Sequence, residues 1–172
     1  EGCGGRIPAT QAELYVGNAG TAMRFLIAAL CLGNGQFYID GTPRMRQRPI
    51  QEQLDALAQI GGYCEAQDGC PPVTIQAQGL AGGHARIDAS RSSQFLSAML
   101  LAAPYARDRI DIDVAGTLVT PPYIDMTMRV MQAFGVEVTH DGDRRYTVAP
   151  QQYQARTYAI EPDASSAHYF FA

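Results

Sequence analysis

The sequence contains no lysine: all thirteen of its basic residues are arginine. That excludes a Schiff base or a lysine-mediated proton transfer supplied by this chain. An excess of positive charge is also missing, the formal net charge being −4, which argues against a general nucleic-acid or membrane-surface binder. Long apolar runs are absent too. The longest, around Phe25–Leu32 and Phe95–Ala103, are too short to span a bilayer. The start of the chain shows no charged-then-apolar signal pattern, so a cytoplasmic setting is expected. Cys3, Cys31, Cys64 and Cys70 form no CxxC and no Cys/His ligand spacing, and His84, His140 and His168 are scattered. No metal site and no cofactor are therefore predicted. Cys31 reads as a small core residue, and Cys64 and Cys70, which could lie near each other across a turn, are expected as thiols.

What is present organises around Gly17-Asn18-Ala19-Gly20-Thr21-Ala22-Met23-Arg24-Phe25-Leu26. Small residues there allow a tight turn and close approach of a ligand. The apolar run that follows reads as a helix buried on most faces. Such a start presents unpaired N–H groups and a partial positive charge, the outline of an anion site. Arg44-Met45-Arg46-Gln47-Arg48-Pro49 then leads into a second helix, with Pro49 expected at its first position. Its stripe is Ile50, Leu54, Leu57 and Ile60. Strands are expected at Leu14–Val16, Phe37–Ile39, Tyr63–Ala66 and Val73–Ala77, the last two separated by an Asp68-Gly69 turn and Pro71-Pro72.

The pattern then runs again. Ile124, Met128, Met131 and Phe134 stand 74 residues after the first stripe, and Leu96, Met99 and Leu100 stand 70 after Leu26, Ala29 and Leu30. Strands are expected at Ala85–Asp88, Ile110–Val114, Glu137–Thr139 and Tyr146–Val148. The fold class is thus α/β (α+β), built from two repeated βαβαββ units over 13–80 and 84–150. A crossover strand is expected at 157–161. Residues 163–172 read as the capped start of a further apolar helix, as in a piece of a longer protein.

Four helix starts, near Thr21, Pro49, Ser92 and Pro121, fall on one edge if the repeats pack in one orientation. Arg24, Arg44, Arg46, Arg48 and Arg91 would share that edge. Each helix start contributes about 0.3–1 kcal/mol toward an anion, and arginine adds charge-assisted bonds to phosphate or carboxylate. From the residues alone the site is a phosphate or carboxylate binder. Ser92 or Ser93 also reads as a helix cap, and Tyr123 also reads as core packing.

At Gly17–Arg24 (GNAGTAMR), Pro43–Ile50 (PRMRQRPI), Ser92–Ala98 (SSQFLSA), Pro122–Asp125 (PYID) and Asp163–Ala172 (DASSAHYFFA) the sequence resembles the 5-enolpyruvylshikimate-3-phosphate synthase family. The resemblance implies a domain of βαβαββ repeats with helices inside and sheets outside, like an inside-out α/β barrel. It implies transfer of the enolpyruvyl group of phosphoenolpyruvate to the 5-hydroxyl of shikimate 3-phosphate. Gly20, Arg48 and Gln94 then correspond to phosphoenolpyruvate contacts. Ser92, Ser93, Gln94, Thr120 and Tyr123 correspond to shikimate 3-phosphate contacts, Thr120 standing where the family commonly has serine. Glyphosate is implied as an inhibitor seated close to Gly20, and Phe25 stands where many members have proline. The resemblance further implies a monomer, and acidic and lysine catalytic residues supplied by a second domain, so no catalytic residue is assigned within this chain. Two other readings are the related UDP-N-acetylglucosamine enolpyruvyl transferase, whose loop cysteine has no counterpart near Arg44–Arg48, and a non-catalytic anion-binding module.

Overall fold

The computed structural model describes residues 3–162. Its first half runs β1 (Gln11–Tyr15), α1 (Gly20–Leu30), β2 (Asn34–Asp40), α2 (Gln51–Ala58), β3 (Tyr63–Gln67) and β4 (Cys70–Gln78). The second runs β5 (Gly83–Asp88), α3 (Ser93–Ala102), β6 (Ile110–Ala115), α4 (Pro121–Ala133), β7 (Thr139–Asp141) and β8 (Arg145–Val148). Each half forms one four-stranded sheet, ordered β1-β2-β4-β3 and β5-β6-β8-β7. In both, the first pair is parallel and the other two are antiparallel. The fold is α/β, and each half repeats the order βαβαββ.

The sheets show why the elements form. Along β4 burial alternates, with Val73, Ile75 and Ala77 inside, the period-2 signature of a half-covered strand. The helices α1 and α3 carry few polar residues and pack together. Met23, Ile27 and Leu30 of α1 and Phe95, Leu96, Met99 and Leu100 of α3 are all buried, so both helix starts lie close together.

Several local expectations change. Pro49 is not the first residue of α2. A 3-10 turn at Met45–Gln47 comes first, Arg48 is extended (φ −100°, ψ 110°), and Ile50 is the N-cap. An extended conformation is what a residue before proline adopts, and Ile50, whose N–H is pinned to the Gly69 carbonyl at 2.9 Å, has φ −138°, outside the helical region, so the helix starts after it. Pro71 and Pro72, joined by a cis peptide bond, lie inside β4 rather than before it. They precede the stretch of β4 that pairs with β2, which starts at Val73, so no ladder bond needs their nitrogens. The strand expected at Glu137–Thr139 is shifted to Thr139–Asp141, because the Glu137 N–H donates to Gln151 Oε1 at 2.8 Å. Residues 157–161, expected as a crossover strand, form no strand, and the helix expected over 163–172 lies outside the described residues.

Cys70 stands on β4, across the turn from Cys64 on β3. Cys64 packs against Cys31, Sγ to Sγ 3.4 Å. Both are free thiols, and the contact with Cys64 together with burial pushes the Cys31 thiol up from its ordinary range. Among the described residues no helix is long and apolar enough to cross a membrane.

Candidate anion-binding site

The starts of α1, α3 and α4 meet at one cavity of about 550 Å³. It is lined by Thr21 and Arg24 of α1, Arg48 from the loop before α2, and Arg91, Ser92, Ser93 and Gln94 at the start of α3. Val119, Thr120 and Tyr123 at the start of α4 close it. Three guanidinium groups face this space, and among the residues lining it none is acidic.

Gly20 makes this convergence possible. A Cβ placed there would overlap Nη1 and Nη2 of Arg48 and Nη1 of Arg24. Its φ is ordinary, so space rather than backbone freedom selects glycine. The α1 N-cap, Ala19, supplies no side-chain hydrogen bond, which leaves the first N–H groups of the helix facing this end. Arg24 is buried and anchored. Its Nη1 donates to Gln94 Oε1 at 3.0 Å, and its guanidinium lies 5.3 Å from the Phe95 ring centroid. Burial, then the charge of Arg48, holds the Arg24 guanidinium below its usual value. Two like charges crowded together in a partly dry site lower their energy when an anion enters.

The serine end is built by capping chemistry. Ser92 is the α3 N-cap, and its Oγ accepts from the Gln94 N–H at 3.2 Å. Gln94 Nε2 donates to Thr21 Oγ1 at 3.0 Å, so Gln94 joins the two helix starts. Thr120 Oγ1 donates to the Val119 carbonyl at 2.8 Å. It also lies 3.0 Å from the Ser93 hydroxyl, a bond in which either oxygen can donate. Thr120 has φ +52°, uncommon for a β-branched residue and the kind of strain that collects at functional sites.

Arg48, Ser92, Ser93, Gln94, Thr120 and Tyr123, selected from the sequence, all line the cavity, and Gly20 lies directly beneath two of its arginines. Arg44 and Arg46, expected on the same edge, do not. Arg46 is paired with Asp40, whose carboxyl it holds below the usual range, and Arg44 donates to Gln47 Oε1 at 3.1 Å. Glu52 and Gln53 were hidden in the polar body of α2. Gln53 is fully buried, with Nε2 donating to the Arg24 carbonyl at 2.7 Å. Its spacing, three after Ile50 and four before Leu57, places it on the buried stripe, and that was the available signal.

Fold and site together define an α/β repeat protein in which three helix starts and three arginines converge on one cavity. The whole of residues 1–172 matches the family model for EPSP synthase (3-phosphoshikimate 1-carboxyvinyltransferase). A 3-phosphoshikimate 1-carboxyvinyltransferase of Nostoc sp. is 51% identical over 99% of this chain and 41% of its own length. One from Sulfurovum sp. is 52% identical over 93% of the chain and 38% of its own length. The solved EPSP synthase of Acinetobacter baumannii superposes with a TM-score of 0.69 at 26% identity, over 81% of this chain and 31% of that one. The chain belongs to the EPSP synthase family. It spans about two fifths of the length of the curated relatives it matches.

Proposed function

We propose that this chain forms substrate-binding structure of a 3-phosphoshikimate 1-carboxyvinyltransferase. The reaction transfers the enolpyruvyl group of phosphoenolpyruvate to the 5-hydroxyl of shikimate 3-phosphate and releases phosphate. The observation that carries the reading is the meeting of three arginines and three helix starts at one cavity without a lining carboxylate. Two anionic substrates need such a field, and fixed guanidinium and N–H donors supply it without reorganisation.

In this reading Arg48, with the α1 start at Gly20, holds the anionic groups of phosphoenolpyruvate. Gln94, bonded to both Arg24 and Thr21, stands between the two substrates. Ser92, Ser93 and Thr120 bind the phosphate of the acceptor, and half-exposed Tyr123 packs against its ring. Positioning of the acceptor hydroxyl against the enol carbon is the contribution of these residues. Acid–base groups belong to a second domain, and domain closure completes the site. The same reading carries glyphosate as an inhibitor beside Gly20, a monomeric state and a cytoplasmic setting.

The test is Arg48→Ala in a full-length protein carrying this chain. Losing charge-assisted bonds to an anion costs about 1.5–3 kcal/mol. The KM for phosphoenolpyruvate is thus expected to rise about tenfold or more, and unchanged kinetics would overturn the assignment.

A further inference from the structure

Arg91 is assigned to neither substrate in the reading above, yet it lines the cavity directly before the α3 N-cap. Its Nε lies 2.8 Å from Glu52 Oε1 on α2, an ion pair. The contact is made through Nε, and the two terminal nitrogens of the guanidinium are the pair that forms a bidentate fork on an anion. The partner is unusual. Glu52 has its other carboxylate oxygen buried without a hydrogen-bond partner, and a buried carboxylate is retained at a cost unless it holds a cation. An exposed arginine has no need of such an anchor, since a surface ion pair contributes little to stability. What the anchor does is select one orientation of a long side chain that would otherwise sample many, lowering the entropy lost when the fork engages a ligand.

Resting on the assignment of the Ser92–Ser93–Thr120 end to the acceptor phosphate, we propose that Arg91 is a further binding residue for that phosphate dianion. Glu52 is its positioning residue. The Ser92, Ser93 and Thr120 hydroxyls and the α3 start give neutral donors and a partial charge; Arg91 adds the full charge at that end. Arg24 and Arg48 sit together at the α1 start and serve the other substrate.

The experiment compares Arg91→Gln, Arg91→Lys, Glu52→Gln and Ser93→Ala in a full-length protein carrying this chain, reading the KM of each substrate and the melting temperature. Arg91 is 60% exposed at its side chain, so its replacement leaves folding intact. The expected result is a rise of about tenfold in the KM for shikimate 3-phosphate for Arg91→Gln, the fold-change of one lost charge-assisted contact. The KM for phosphoenolpyruvate changes much less, and Arg91→Lys recovers part of the loss. Glu52→Gln raises the same KM by a smaller factor without lowering the melting temperature in proportion. If Ser93→Ala raises that KM and Arg91→Gln does not, the proposal is overturned while the substrate assignment stands. If neither variant changes it, the acceptor site lies elsewhere and both readings fall. Equal effects of Arg91→Gln on both substrates would reduce Arg91 to a general contribution to the field and overturn its assignment.

Discussion

Gly20 shows how a single missing side chain sets up a site. The atoms that a Cβ would meet are the tips of Arg24 and Arg48; the Arg48 tip, whose bond to the Asn18 carbonyl is a long 3.5 Å, moves aside at small cost, and Arg24 shifts by giving up its bond to Gln94. Gly20→Ala is therefore expected to change stability by less than about 1 kcal/mol. The displaced guanidinium groups lose their geometry over the α1 start, so the KM for phosphoenolpyruvate should rise several-fold. Chemical denaturation and steady-state kinetics of the same variant separate the two effects. A large loss of stability with unaltered KM would mean that glycine is needed for packing instead.

The elements were legible wherever a period dominates. The buried stripe Ile50, Leu54, Leu57 and Ile60 and its copy 74 residues later identified α2 and α4. The small residues of Gly17–Thr21 and Ser92-Ser93-Gln94 marked the starts of α1 and α3. What escaped was decided by partners far away in sequence. Pro49 is kept out of α2 because Ile50 bonds Gly69, and Arg46 leaves the site because it faces Asp40. Gln53 is the sharper case. Its Nε2 bonds an interior carbonyl of α1, while its Oε1 is buried with no partner. A carbonyl within a helix already accepts from the residue four positions on. Gln53→Leu thus removes an orphaned acceptor and strands nothing, and should leave stability within about 1 kcal/mol of the parent. Gln53→Ala opens a cavity between α1 and α2 and should cost about 2 kcal/mol or more. Urea denaturation of the pair tests this, and a Leu variant as damaged as the Ala variant would show that the amide bond itself holds the helices together.

At the scale of the whole molecule, the outer face of the second sheet carries Asp111 and Asp113 of β6, alternating with buried Ile110 and Ile112. Asp113 on β6 accepts from Arg145 on β8 (Nε to Oδ1, 2.7 Å) and lies 2.8 Å from His84 Nε2 on β5. One carboxylate therefore ties three adjacent strands through cross-strand pairs. The bond from Arg145, then that from His84, lowers the Asp113 carboxyl to about 2. A depressed folded-state value means that the charged form is favoured by folding. Its contribution is complete above the ordinary aspartate range, about 3.9, and is lost as pH falls through about 2. Asp113→Asn should lower stability at neutral pH and flatten its decline between about pH 4 and 2. Raising the salt concentration should shrink the difference between parent and variant, since these groups are exposed and screened. The measurement is a set of thermal melts of both proteins across that window at two ionic strengths. Parallel pH profiles would show that Asp113 titrates alike in the folded and unfolded chain, and that the strands of this sheet are held by their backbone ladder and buried face alone.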